Sequence, residues 1–476
     1  MSEPVDRKEL QAALAKFGQE HLLAFWDELD AAGQTQLAAQ IRGIDLELVD
    51  SLFRGDVDQP DWAELSRRAT PPPAMRLAER QAGKASALGI TPNEATERGQ
   101  QALAAGEIGV LLVAGGQGSR LGFEKPKSLY PIGPLSHATL LQIHVEKALA
   151  VAARYGTAMP LYLMTSPATH DDTAAFLAEH DNLGMPADDL VVFCQGTMPA
   201  VDATTGKLLL SAKDSLFLSP DGHGGTVAAL AGSGAIDHMR SRGVKHLFYL
   251  QVDNPLAPIG DAEFIGYHLL ADSELTSLTV AKQEAHDKLG NFAMVDDRLQ
   301  VIEYSDFPAD VAERRDSSGN LAFWAGSVAI HMFSVAFLEK SLTLKDSLPF
   351  HVAKKKVPFI NAQGERIEPT ETNALKFERF IFDLLPQAAR PIVVEYAEEE
   401  VFAPLKNAPG APKDTPEYVQ RFMLQQHHRW LAAAGAEISP GVAVEISPLW
   451  ALDAVGVAER VSVNDKFDEP RYLAPS

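Results

Sequence analysis

The stretch Gly115-Gly116-Gln117-Gly118-Ser119-Arg120-Leu121-Gly122, continuing through Phe123-Glu124-Lys125-Pro126-Lys127, concentrates glycines and cations in one short segment. Glycine lets backbone approach a ligand closely and reach positive φ. Successive N–H groups in such a turn form an anion cradle. Arg120 adds a planar fork of donors and Lys127 a point charge. Together these suit a polyphosphate. A dinucleotide fingerprint needs a third glycine where Leu121 stands. A Walker loop needs Gly-Lys-Ser/Thr, which is absent. A nucleotidyltransferase loop, with glycines, then Arg, then Pro-Lys, remains; without chemistry the segment is a tight turn with surface charges.

Other segments carry chemistry of their own. Asp253, in Gln251-Val252-Asp253-Asn254-Pro255, ends an apolar run. A carboxylate there can hold Mg²⁺, which takes one or two carboxylates plus phosphate oxygens and water; read plainly, it caps a turn before Pro255. Asp221-Gly222-His223-Gly224-Gly225 precedes a helical stretch, with Asp221 expected as its N-cap. Glu303 lies in the alternating segment Leu299 to Tyr304. Lys406 alone reads as an exposed loop lysine, Lys354-Lys355-Lys356 as a solvated face, and His21 as a packed or capping residue. The histidines show no metal-ligand spacing, so zinc catalysis is not expected.

The elements that must hold these residues follow from periodicity. Ile108 to Ala114 is a short apolar run, expected as a strand buried on both faces. Leu161 to Thr165, Leu190 to Cys194 and His246 to Val252 are similar, with helical stretches between them at Thr139–Tyr155 and Thr226–Arg240. Alternating strands and helices predict an α/β fold with a doubly wound, mostly parallel sheet. In such sheets ligands bind at the carboxyl ends of the strands. The glycine loop, Gln195-Gly196 and Asp253-Asn254 each follow a strand and fall on that edge.

Asp6 to about Phe53 is helical in pattern, with Gly18, Gly33 and Gly43 expected as breaks. Gly55 to Pro73, which contains Pro60, Pro71, Pro72 and Pro73, reads as an extended connector. A helix is expected from Pro92 through Ala105. Val442 to Leu449 reads as a β segment. The chain is thus expected in three parts: a helical N-terminal arm over 1–100, a catalytic domain over 101–385 and a small C-terminal β-containing domain over 386–476.

The 476 residues are 46% hydrophobic and 22% charged, an ordinary globular composition. The formal charge of −22 disfavours non-specific nucleic-acid or anionic-lipid binding. One cysteine, Cys194, excludes an intrachain disulfide and a Cys-rich zinc site. MSEPVDRKEL lacks a cationic stretch followed by an apolar core, and no apolar run approaches the roughly 20 residues that span a bilayer. A cytoplasmic protein is expected; oligomeric state is not encoded legibly.

GGQGSRLGFEKPK resembles the nucleotide loop of the eukaryotic-type UDP-sugar pyrophosphorylases, most of all the UDP-N-acetylhexosamine branch. GQEHLLAFWDEL (Gly18 to Leu29) resembles the family's N-terminal arm. Met164-Thr165-Ser166, Gln195-Gly196-x-x-Pro199-Ala200, Pro220 to Gly225, Val252-Asp253-Asn254, Val301 to Ser305, Lys376 to Asp383 and Pro404-Leu405-Lys406-Asn407 follow in family order. The resemblance implies a Rossmann-like nucleotide-diphospho-sugar transferase fold. It implies a uridylyltransferase forming UDP-sugar and pyrophosphate from UTP and a sugar 1-phosphate, most of all N-acetylglucosamine 1-phosphate.

The same resemblance assigns residues. Gly115, Gly116 and Gly118 would cradle phosphates, Gln195 and Gly222 hold uracil, and Asp253 bind Mg²⁺ or Mn²⁺. Arg120, Lys127 and Lys406 would stabilise phosphoryl charge. His223, Gly290, Glu303, Ser327 and Lys376 would face the sugar. His223, Trp324 and Ser327 stand where the N-acetylhexosamine enzymes have Asn, so a UTP–glucose-1-phosphate or broad-specificity enzyme is the alternative. A non-catalytic UDP-sugar sensor is the reading of another class, and the retained Arg120, Lys127 and Asp253 speak against it. A nicotinamide dehydrogenase fails at Leu121.

Overall fold

A computed structural model describes residues 6–56, 61–343 and 348–475. The first five residues, and Pro60 of the expected connector, lie outside the described residues. Two compact units emerge, each assembled from separated stretches: residues 1–61, 195–226 and 348–383 form one, and 62–194, 227–347 and 384–476 the other. Compactness therefore divides the chain differently from the chain-order scheme of three segments.

The larger unit is built on a ten-stranded sheet. Its main path runs Ala74–Met75, Ile392–Tyr396, Leu275–Ala281, Ala325–Ser334, His246–Gln251, Ile108–Val113, Leu161–Thr165, Leu190–Cys194. Pairing is parallel except around Ala325–Ser334, which runs antiparallel to both neighbours and also pairs with a hairpin of Gly290–Val295 and Arg298–Ile302. Ile108–Val113 sits centrally between two parallel partners, which is why its apolar residues are buried on both faces. The expected strands at 161, 190 and 246 are all present.

Helices close onto this sheet with capped ends. Thr91 and Glu94 form a reciprocal capping box for Pro92–Ala104. Thr139 accepts from the Gln142 N–H to start Leu140–Tyr155. Pro92–Ala104 and Ala262–Leu270 press backbone against backbone: a Cβ on Gly99 would lie 1.8 Å from the Ala262 carbonyl oxygen, and one on Gly266 1.6 Å from that of Ala95. The stretch expected as one helix over Thr226–Arg240 is two, Thr226–Gly232 and Ala235–Ser241, because Gly234 takes a left-handed φ of 78° between them.

The connector expectation needs correction. Between its prolines Trp62–Arg68 is helical, burying Trp62, Leu65 and Ala69 against the Gly290–Ile302 hairpin, while Pro71 to Pro73 are irregular as expected. Beyond residue 386, Ile392–Tyr396 joins the central sheet. Pro416–Ala433 and two short parallel pairs, one of them Val444–Ile446 with Arg471–Leu473, share a small core around Leu431, Val444 and Val457.

In the smaller unit Leu14 of Arg7–Ala15, Leu22 of the turn Glu20–Leu23, Leu37 of Ala31–Arg42 and Leu52 of Leu46–Arg54 pack with Val201, Leu210 and Phe377. Gln19 bonds Gly206 and Leu208 through both ends of its amide, and His21 bonds the Leu208 carbonyl, so His21 is a packed residue. Gly33 is not a break. It lies in the first turn of Ala31–Arg42, where Asp30 caps its N–H and Asp214 lies too close for a side chain to be added freely. Lys354, Lys355 and Lys356 are exposed.

Candidate active site

The glycine loop leaves the buried Ile108–Val113 strand and folds back on itself. Gly118 N–H donates to Lys125 O at 3.0 Å, Phe123 N–H to Gly118 O at 3.1 Å and Lys127 N–H to Gly116 O at 3.0 Å. Gly118 is therefore required for close packing, since its Cβ would lie 2.7 Å from Phe123 O; its own N–H is already used. None of Gly115, Gly116 and Gly118 has positive φ; in this loop that conformation belongs to Gly122 alone. Among the described residues the N–H groups of Gly115 and Gly116 donate to no protein acceptor, and the Gly116 edge is open. Ser166 donates to Gly115 O at 2.8 Å and steadies the entry. Arg120 is exposed and unpaired among the described residues.

The fold returns Lys127 to Asp253. Their Nζ and Oδ2 atoms are 3.2 Å apart, the lysine opening the turn Lys127–Leu129 and the carboxylate standing just past the His246–Gln251 strand. Asp253 is 8% exposed. Its loop is pinned from the Leu140–Tyr155 helix. His144 Nε2 donates to Val252 O at 3.0 Å, and Lys147 Nζ donates to Pro255 O and Ala257 O at 2.6 and 2.9 Å. Burial pulls His144 down to about 3 and the Lys147 ammonium to about 7. On its far side the loop meets the segment that carries Lys406. Asp253 O accepts from Leu405 N–H at 2.8 Å, and Asn254 bonds Val401 O and Ala403 N–H at 2.7 and 3.1 Å.

Three of the expected sugar residues are also brought together here. Gly290 and Ser327 face each other across paired strands. A Cβ on Gly290 would lie 3.3 Å from Glu303 Oε1 and 3.7 Å from Ser327 Cβ. His223 and Lys376 belong to the smaller unit.

In that unit Gln195 and Gly222 are neighbours as expected. Gln195 is 6% exposed and its Nε2 lies 3.5 Å from both Asp221 Oδ1 and Gly222 O. Burial pushes the Asp221 carboxyl up, against the pull of Arg379. Asp221 is not an N-cap. Gly222 holds the cap position of the following turn, and the Asp221 carboxylate turns instead toward Gln195. The loop is laid along the backbone of Arg379, whose N–H donates to Asp221 O at 2.7 Å and whose O accepts from Gly224 N–H at 2.8 Å. Gly222 needs both its φ of 83° and its missing Cβ, which would lie 2.3 Å from Arg379 O. His223 accepts from Ile381 N–H through Nδ1 at 3.2 Å and stacks on Phe380, and burial pulls it to about 4. It is a neutral imidazole with its proton on Nε2. Lys376 Nζ lies 3.7 Å from Glu378 Oε1.

Sequence reasoning passed over His144, Lys147, Asn254 and Arg379. Asn254 and Arg379 lay inside quoted motifs, but their work is done through backbone partners that composition does not reveal. Among the described residues no three His, Cys, Asp or Glu gather as a metal site.

Comparison with known proteins gives the family and the fold. Residues 74–455 match the family model described as UTP–glucose-1-phosphate uridylyltransferase. The chain is 35% identical over 446 residues to UDP-N-acetylhexosamine pyrophosphorylase-like protein 1 of Homo sapiens, covering 90% of this chain and 86% of that one. It is 36% identical over 364 residues to UDP-N-acetylglucosamine pyrophosphorylase of Saccharomyces cerevisiae, covering 75% and 76%. The fold is shared with the crystal structure of the uridine diphosphate N-acetylglucosamine pyrophosphorylase from Trypanosoma brucei, at TM-score 0.80 and 24% identity over 96% of this chain and 95% of that one.

Proposed function

The chain belongs to the UTP–glucose-1-phosphate uridylyltransferase family, and on that premise we propose that it is a nucleotidyltransferase joining UTP to N-acetylglucosamine 1-phosphate, giving UDP-N-acetylglucosamine and pyrophosphate. The observation that carries this reading is the Lys127–Asp253 contact, in which the turn that closes the glycine loop sets a cation against the carboxylate that follows the His246–Gln251 strand. The sugar assignment is supported by the names of the human and yeast relatives.

A phosphate oxygen of the sugar phosphate attacks the α-phosphorus of UTP in line, and the bond to the bridging oxygen of pyrophosphate breaks. The nucleophile is already anionic, so positioning and charge neutralisation supply the catalysis. Gly115 and Gly116 present N–H groups to the phosphates, and Gly118 shapes the loop. Arg120 and Lys127 neutralise the leaving pyrophosphate, and Lys406 the phosphate under attack. Gln195 and Gly222 read uracil, whose donor is flanked by acceptors. Gly290, Glu303 and Ser327 take the sugar hydroxyls, with His223 and Lys376 assigned to the same substrate.

A single buried carboxylate suits Mg²⁺ or Mn²⁺, which complete their shell with phosphate oxygens and water. Asp253 would hold the ion, which would add charge neutralisation at the phosphates. A cytoplasmic setting fits the one exposed thiol, Cys194. Among the described residues no helix is long and apolar enough to cross a membrane.

The departures at His223, Trp324 and Ser327, with the glucose named in the family's description, favour glucose 1-phosphate as the second substrate to test. Purified protein assayed with UTP and Mg²⁺ against N-acetylglucosamine, N-acetylgalactosamine, glucose and galactose 1-phosphates should release pyrophosphate fastest with the first. A preference for glucose 1-phosphate would replace the sugar assignment, and no release with any of them would overturn the reading.

A further inference from the structure

We propose that Asn254 is a positioning residue that sets Lys406 in register with Asp253. It contacts no reacting group in this reading. Its side chain imitates a peptide unit. Nδ2 donates at 2.7 Å to Val401 O, at the end of the short helix Glu398–Val401, and Oδ1 accepts at 3.1 Å from Ala403 N–H two residues on, where the chain has become extended. The next contact along the same edge is made by the preceding residue, when Asp253 O accepts from Leu405 N–H at 2.8 Å. The segment 401–405 is thus zipped onto Asp253-Asn254 at alternate residues, as in a ladder. Asn254 is 3% exposed and satisfies donor and acceptor together, which neither a carboxylate nor a hydrocarbon of that size does.

The zip ends one residue before Lys406. Beyond it the chain is held again, since the N–H groups of Lys406 and Asn407 both donate to Asp414 O at 2.9 Å. The Lys406 ammonium lies 5.5 Å from the Phe402 ring centre, over the segment that Asn254 fixes. One amide therefore ties the lysine's backbone to the loop of the carboxylate. A displacement of about 1 Å at a reacting centre costs on the order of 10²-fold in rate, so a residue that never touches the substrate can govern turnover.

This rests on Lys406 acting on phosphate as proposed above, and the test separates the two. Asn254→Asp keeps the acceptor and the size but loses the donor toward Val401. It should lower kcat by about 10-fold or more and reproduce the division between kcat and KM seen for Lys406→Ala. In the Lys406→Ala background the same substitution should cost less than about twofold more, because the group being positioned is gone. Thermal melting checks that each variant is folded. Should N254D fail to fold, Asn254→Ser, a smaller neutral donor and acceptor, runs through the same cycle. A slow K406A whose loss is multiplied in full by the second substitution overturns the positioning role and leaves the reaction standing. So does an N254D that matches wild type. A K406A with wild-type turnover removes Lys406 from the reaction, and the positioning role with it.

Discussion

At the residue scale, the loop divides its cations by surroundings. Lys127 is held against Asp253, whereas Arg120 is exposed without a carboxylate among the described residues. Replacing either by Ala should lower kcat by about 10²-fold or more, the effect of one preorganised donor worth about 3 kcal/mol. Near-normal pyrophosphate release by either variant removes that residue from the mechanism. Gly290 makes a different prediction. An added methyl would crowd Glu303 and Ser327 at 3.3 and 3.7 Å and press Val301 at 2.6 Å. Gly290→Ala should raise KM for the sugar phosphate and leave KM for UTP nearly unchanged, which initial-rate kinetics would reveal; equal rises in both would sink the placement of this cluster at the sugar. These residues could be read in the sequence because glycine, Arg, Lys and Asp at strand ends announce ionic chemistry. What could not be read was which N–H groups are spent. Gly118 looks like a phosphate donor until Lys125 O is seen to occupy it, and His223 looks like a free ring until Ile381 N–H is found on its Nδ1.

At the element scale, strands were the most readable part, because a central parallel strand must be apolar on both faces and Ile108–Val113 is. The helices expected at Pro92–Ala105 and Thr139–Tyr155 are present, as Pro92–Ala104 and Leu140–Tyr155. Trp62–Arg68 hid between prolines in a stretch too short to show a period, and Gly234 split a helix whose polar pattern ran on without a break. The contact between Pro92–Ala104 and Ala262–Leu270 left no periodic trace, yet it admits no side chain at Gly99 or Gly266. Propensity alone would favour alanine in a helix by up to about 1 kcal/mol. The clash at 1.8 or 1.6 Å with backbone oxygen cannot be relieved by a rotamer change, so the helices must separate, and overpacking of this kind costs about 1–3 kcal/mol or more. Gly99→Ala and Gly266→Ala should therefore both lower the melting temperature. A rise in either would show that propensity outweighs the contact.

At the scale of the whole molecule, the N-terminal helices share a core with residues from 195–226 and 348–383, an association of distant segments that no local pattern announces. Both units carry the same liability to acid. Burial pulls His144 and His427 to about 3 and His223 and His246 to about 4, and holds His268 well below its ordinary 6.5. Each is neutral in the fold, and an unfolded chain would protonate it near 6.5. Below that pH the unfolded state binds more protons than the native state, so stability present above about 6.5 is lost as pH falls toward 4 and then 3. Each such histidine contributes a slope of up to about 1.4 kcal/mol per pH unit in that window. Buried carboxyls whose pKa is raised, such as Asp221, Asp261 and Asp383, oppose this by taking up protons in the fold. The urea midpoint should accordingly drop between pH 7.5 and 5.5. His427→Gln, which can still accept from Ile446 N–H as the Nδ1 atom does, should flatten the slope by up to about 1.4 kcal/mol per pH unit at the acid end of that range. A wild-type midpoint that stays level across that range would mean these rings are protonated in the fold, and the packing that excludes water from them would have to be redrawn.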